Sequence, residues 1–112
     1  MLDGIGQNLE RYMDLLSARQ KLVAGNLANA DTPGYKTKDI DFHFELMSAG
    51  SGEPVNTIDA PGLAARNDGN NVSLDREARL LSENSMRFNA VSNLLRSQMR
   101  MLRLAIQDGR SS

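Results

Sequence analysis

Hydrophobic residues return along this chain at alternating intervals of four and three in two places, one toward each end. From about Ile5 to Ala30, the positions Leu9, Met13, Leu16, Val23, Leu27 and Ala30 keep that spacing, with Gln20 filling the remaining place. Four-three spacing lines residues up on one face of a helix, so this stretch predicts an amphipathic helix with a coiled-coil-like seam. Tyr12, Leu15 and Leu22 widen the seam, and Glu10, Arg11, Arg19 and Lys21 are expected to keep the rest of the helix soluble. The second stretch, from about Leu74 to Gln107, is stricter. Leu74, Ala78, Leu81, Ser85, Phe88, Ser92, Leu95, Met99, Leu102 and Ile106 never break step, although Ser85 and Ser92, like Gln20 in the first seam, are polar interruptions. Ser73 is placed to cap this helix, Asp75 and Glu77 suit the positive end of its dipole, and Arg103 lies toward the negative end. Such a helix runs on the order of 50 Å, more than a domain of this size needs for its own core.

The first helix is stopped abruptly. In Asn26-Leu27-Ala28-Asn29-Ala30-Asp31-Thr32-Pro33-Gly34-Tyr35, proline disfavours helical geometry for the residue before it, so the helix is expected to end at or before Thr32. Thr32 to Tyr35 then reads as a type II turn, with Gly34 at the position that needs positive φ. Asn29 and Asp31 are suited to satisfy the loose backbone groups at such an end. Gly25 loosens the last turn or admits another backbone. Between the helices, Asp31 to Ser73 holds all three prolines and turn-forming runs such as Ser48-Ala49-Gly50-Ser51-Gly52 and Asn67-Asp68-Gly69-Asn70-Asn71. This segment is expected to be irregular and partly mobile, with short strands possible around Lys38 to Leu46 and Pro54 to Ile58. The expected architecture is mainly α: one domain made of an N-terminal helix (1–30), a turn and loop-rich middle (31–73) and a long C-terminal helix (74–112), the two helices paired as an antiparallel coiled-coil-like hairpin.

Composition narrows the function. At 112 residues with no tryptophan and few aromatics, the chain has material for one small domain built on Leu, Met, Val, Ile and Ala. Burial along a single helix pair falls short of the entropy of ordering it, so the terminal zones are expected to complete their core with neighbouring molecules and to be partly disordered alone. The absence of cysteine excludes disulfides, thiolate-held metals and thiol catalysis. A formal net charge of -1 gives no global pull toward nucleic acid or anionic lipid. Without a membrane-length apolar run or a basic-apolar leader at Met1-Leu2-Asp3-Gly4, the chain is expected to be soluble and uncleaved.

Candidate chemistry is thin. His43, between Phe42 and Phe44, has no second ligand pattern, and Asp39 with Asp41 lacks a companion nucleophile or phosphate-binding loop. Enzyme activity, a bound metal and a cofactor are therefore not expected. Arg96, Arg100 and Arg103 share a helix face and could track a phosphate backbone, but a solvated or subunit-facing stripe is the favoured reading, since the acidic middle offers matching charge.

The string Asn26 to Tyr35 resembles the N-terminal signature of the bacterial flagellar rod and hook proteins. Lys38-Asp39-Ile40-Asp41-Phe42, and Asp68-Gly69-Asn70-Asn71-Val72 leading into a long helix, are similar to the proximal rod subunits of that family. The resemblance implies a structural, non-catalytic protein whose paired terminal helices pack around a central channel. It implies as partners the chain itself, other rod proteins, ring or junction proteins at the rod base and the type III export apparatus, with no nucleic acid and no membrane insertion. It also implies a place in the basal-body rod on the periplasmic side of the inner membrane, reached without signal cleavage. The residues expected to carry assembly are Asn26, Leu27, Ala28, Asn29, Thr32, Pro33, Gly34 and Tyr35, with the two seams. Another rod subunit is the alternative within the family; a small helical adaptor or nucleic-acid-binding regulator is the alternative outside it.

Overall fold

The first helix, α1 (Leu2–Ala28), ends where proline and asparagine chemistry requires. Asn29 continues the turn through its N–H to the Gly25 carbonyl, and its side-chain amide donates to the same oxygen at 2.8 Å. The Tyr35 N–H then closes on the Thr32 carbonyl at 3.2 Å, with Gly34 at φ 76° inside the turn, as the Pro-Gly pair demands. The computed structural model describes residues 2–48 and 54–111. After α1 come β1 (Lys38–Asp39), α2 (Phe42–Ser48), β2 (Ile58–Asp59) and α3 (Leu74–Ser111). The glycine-rich run expected to turn within Ser48 to Gly52 lies, beyond Ser48, outside the described residues.

The molecule is mainly helical, with α1 and α3 packed on each other beside a short irregular middle. Asn26 meets Glu77, the Leu16 carbonyl meets Asn84 and Tyr12 meets Arg87, so the two helices run antiparallel. Ser73 caps α3 as its sequence position suggests, its Oγ accepting the Arg76 N–H at 3.2 Å. Leu15, Leu16 and Val23 of α1 are buried with Val91 of α3 and with Ile40, Ala60 and Val72 of the middle.

The middle corrects the strand expectation. Among the described residues, only Lys38–Asp39 and Ile58–Asp59 pair, antiparallel, with Lys38 opposite Asp59. From Phe42 on, the expected first strand is instead the helix α2, because Asp41 starts it: the Asp41 side chain accepts the Phe44 N–H at 3.2 Å and its carbonyl accepts the Glu45 N–H at 2.9 Å. A helix here also turns Glu45 inward against α1, where it meets Arg11.

The body measures 72 × 25 × 17 Å. Its length comes from α3, which outruns its partner. Tyr12 already meets Arg87, so the last turns of α3 pass beyond the start of α1, and residues 99–110 are all exposed. At about 1.5 Å per residue, the overhang projects roughly 20 Å.

Candidate assembly site

Two features stand out once the fold is in place: a polar clasp that fastens the helices near the turn, and an apolar stripe on α3 that the fold leaves outside. The clasp centres on Asn26, which is 0% exposed. Its amide donates to the Lys38 carbonyl at 2.9 Å and to Glu77 Oε2 at 3.2 Å, and its oxygen accepts the Tyr35 hydroxyl at 2.9 Å and the Lys38 N–H at 3.0 Å. One side chain thus ties together α1, the turn, β1 and α3, with both its donors and both its acceptor positions used.

Asn70 and Asn71 repeat the device from the other side. Buried Asn70 donates to the carbonyls of Asn29 at 2.9 Å and Thr32 at 2.8 Å, while its oxygen accepts the Val72 N–H at 2.8 Å. Asn71 Oδ1 accepts both the N–H and the hydroxyl of Thr37, at 2.7 and 2.8 Å. The loop that carries them lies against the turn so closely that a Cβ on Gly69 would sit 3.3 Å from the Gly34 Cα, and Gly69 itself has φ 86°. Gly34 donates its N–H to the Asp68 carbonyl at 2.8 Å across this contact.

Charge completes the fastening. Arg19 grips both oxygens of Asp39 with two bonds of 3.0 Å, Arg76 shares the Oδ2 of the same carboxylate, and Arg76 also reaches Glu77 Oε1 at 2.7 Å. Burial works to raise the Asp39 pKa, but the Arg19 hydrogen bonds, the Ile40 N–H and the charges of Arg19 and Arg76 together outweigh it and hold the group below its ordinary value. Nearer the start of α1, Arg11 and Glu45 form an ion pair of 3.2 Å with side chains 2% and 5% exposed. Phe42 packs edge-on to Tyr12 with centroids 5.4 Å apart, and the Arg19 guanidinium lies 5.6 Å from the Phe42 ring centre. Arg11 was expected on the soluble face of α1. It is instead interior, because α2 brings a carboxylate to meet it.

Of the motif, Asn26 is buried, Asn29 and Tyr35 are half-buried, and Leu27, Ala28, Thr32, Pro33 and Gly34 face outward. The seams divide. Leu16 and Val23 are buried and Leu9, Met13 and Leu95 half-buried, whereas Leu74, Ala78, Leu81, Phe88, Met99, Leu102 and Ile106 are exposed. The side chains that α3 turns toward α1 are Glu77, Asn84 and Val91, seven residues apart, with Asn84 donating to the Leu16 carbonyl at 3.2 Å and to Gln20 at 3.3 Å. Buried polar groups require partners, and α1 supplies them along this line, so α3 is rotated with its apolar seam to one side. There the seam borders a groove lined by Leu16, Gln20, Asn84, Ser85 and Phe88.

Arg96, Arg100 and Arg103 flank the exposed end of that seam. Asp39 is neutralised between two arginines, Asp41 starts α2 and His43 is exposed on it, so the two aspartates do not form a pair. Among the described residues, no group of three His, Asp or Glu side chains is placed to hold a metal ion, and no helix is long and apolar enough to cross a membrane. Of the clasp residues, Arg76 was not singled out from the sequence, and Arg19, Asp39, Asn70, Asn71 and Glu77 were read there in other roles, as part of a soluble face, a carboxylate candidate, a turn-forming run and a charge at the helix dipole. The available signal was the density of asparagine in Asn67 to Asn71, which turn formation alone does not need.

Comparison with known proteins places these features. Residues 12–36, the end of α1 and the turn, match the family model described as flagella basal body rod protein. The chain is 31% identical to the flagellar basal body rod protein FlgB of Salmonella typhimurium over 137 positions, covering 97% of this chain and 99% of that one. It is 29% identical over 133 positions to the protein of that name from Yersinia ruckeri, covering 96% and 97%. The Borrelia hermsii protein is 28% identical over 123 positions, covering 87% and 91%. Alignments longer than the chain itself mean that the relatives carry residues this chain lacks.

Proposed function

Because the chain belongs to the family of the flagellar basal body rod protein FlgB, we propose that it is a structural subunit of the proximal rod, assembling with copies of itself and other rod proteins into a helical tube and catalysing nothing. The observation that supports this most directly is the exposed seam of α3. Leu81, Phe88, Met99, Leu102 and Ile106 are 38 to 54% exposed along one face of a single helix, a cost in water that another helix would relieve. A strict seven-residue repeat calls for a helical partner, since only a second helix presents matching holes at that period.

The clasp supplies the rigidity such a part needs. Torque carried along a rod loads every subunit, and α1 and α3 can share it only if they do not slide past each other. Asn26, Asn70 and the Arg19-Asp39-Arg76-Glu77 chain oppose sliding, because a shift by one residue would leave several buried polar groups without partners. Around a central export channel, the apolar faces of such helix pairs would meet one another, with ring or junction proteins and the export apparatus at the rod base. The subunit would stand on the periplasmic side of the inner membrane, having left the cytoplasm through that apparatus without signal cleavage.

Phe88→Glu and Leu95→Glu test the reading in cells lacking the native copy. Both positions lie on the seam, at 41% exposure and half-buried respectively. The expected outcome is normal synthesis and helicity with loss of basal-body incorporation and motility. Complete rods and normal swimming would overturn it.

A further inference from the structure

The arginines of the α3 overhang all fall on one side of it. At about 100° per residue, Arg96, Arg100, Arg103 and Arg110 share an arc of about 80°. Beside it lies an apolar arc of about 160°, made by Leu94, Leu95, Met99, Met101, Leu102 and Ile106 and broken only by Gln98 and Gly109. The heptad seam supplies only one edge of this arc. Leu94 and Met101, 50 and 65% exposed, lie outside the seam and widen the apolar face beyond the narrow stripe that a two-helix contact uses. The charge of the element is hidden in the total. Residues 96–110 hold four arginines against a single aspartate, while the whole chain has a formal net charge of -1, so everything outside the overhang is net acidic. Among the described residues, no salt bridge engages any of the four, and Arg96 bonds the neutral side chain of Asn93 at 3.3 Å. Their charge is therefore available to an anion outside the chain.

We propose that the overhang is a lipid-surface helix: in the unassembled chain it lies in the headgroup layer of an anionic phospholipid bilayer, apolar arc toward the acyl chains and arginines on the phosphates. This goes beyond the reading of the chain as a rod subunit and does not depend on it. Three observations select this occupant. A single partner helix would cover the seam and leave Leu94 and Met101 in water, whereas a bilayer surface takes the whole arc. Arginine lays its stem along apolar surface and grips phosphate with paired N–H groups, which suits a basic arc adjoining an apolar one. The acidic remainder of the molecule is repelled by the same surface, so contact is confined to the overhang and the body is held away from the membrane. The helix does not span: no helix among the described residues is long and apolar enough, and the overhang reaches only roughly 20 Å. Covering the seam with a neighbouring helix would displace the lipid, so the contact belongs to the chain before it joins one.

The chain has no tryptophan, so a single one placed in it reports on its own surroundings. Full-length Leu102→Trp is mixed with vesicles of equal parts phosphatidylglycerol and phosphatidylcholine, and with vesicles of phosphatidylcholine alone, at low salt. Ile58→Trp, at a 41% exposed position of the middle segment, is the control. With the anionic vesicles, Leu102→Trp emission is expected to move to the blue and to be quenched by lipids brominated on their acyl chains; Ile58→Trp should do neither. In the Leu102→Trp background, Arg96→Gln, Arg100→Gln and Arg103→Gln together should weaken partitioning about a hundredfold, at about fivefold for each arginine, and Met101→Gln, outside the seam, should weaken it severalfold. Equal partitioning into phosphatidylcholine would overturn the proposal by removing the role of charge. No partitioning into the anionic vesicles, or partitioning without a blue shift, would also overturn it, the latter by leaving the helix outside the interface. A blue shift that grows with protein concentration and ignores vesicles would overturn it in favour of a second helix as the occupant. All the substituted positions are exposed, and circular dichroism checks that helicity is kept.

Discussion

Replacing Asn26 by aspartate changes one NH2 group into an oxygen and leaves the shape of the side chain alone. The two acceptor bonds, from Tyr35 and the Lys38 N–H, survive, but the two donated bonds do not. The bond to the Lys38 carbonyl is worth about 1 kcal/mol net, and the one to the Glu77 carboxylate about 1.5–3 kcal/mol because its acceptor is charged. In place of the second, Asn26→Asp sets one carboxylate against another at a position where the parent distance is 3.2 Å and both residues are 0% exposed. The sum is a loss of about 3–5 kcal/mol, the scale of breaking a buried polar pair. In urea, with a slope of about 1.5 kcal/mol/M, the unfolding midpoint should fall by roughly 2–3 M. Adding Glu77→Gln should recover a large part of this, since an amide at 77 donates to the new carboxylate. A single variant within about 1 kcal/mol of the parent, or a double variant no better than the single one, would refute the view that this asparagine is the centre of the clasp.

Gly69→Ala should destabilise by about 1–2 kcal/mol, because φ 86° strains an L side chain and the new Cβ would press on Gly34 at 3.3 Å; thermal unfolding reads it, and Gly62→Ala, at φ 77° with open space around it, should cost less. Asp39 has a lowered pKa, so its contribution is present above the ordinary carboxylate value of about 3.9 and is lost as pH falls through the depressed one. The stability gap between the parent and Asp39→Asn should accordingly be constant near neutrality and shrink only below about pH 4 in denaturation series. Arg11→Met should cost about 3–5 kcal/mol by leaving Glu45 buried without its cation, while Arg11→Met with Glu45→Leu should come back near the parent. In a dilute monomer, hydrogen exchange should be slow around Asn26 and Glu77 and fast beyond Met99, where the side chains of residues 99–110 are all exposed; uniform protection to the end of α3 would contradict the marginal stability expected of so exposed a helix end.

The sequence by itself determined the two helices, the stop between them and the turn. Four-three spacing needs no tertiary partner to be recognised, and Pro33 with Gly34 fixes backbone angles locally. It also carried the family through the string from Asn26 to Tyr35, because that string is contiguous. Only the tertiary structure decided which side of α3 meets α1. Periodicity defines a face but not what it faces, and here the buried amides and charges of Asn26, Glu77 and Asn84 claimed the contact, leaving Leu81, Phe88 and the seam beyond them outside. The same holds for Asp39 and Arg11. In the sequence each is one more charged residue in a polar stretch, and each becomes part of a buried fastening only when residues twenty to thirty-seven positions away fold onto it. Hydrogen bonds and ion pairs are directional and short-ranged, so the chain cannot announce them before the backbone has brought their ends together.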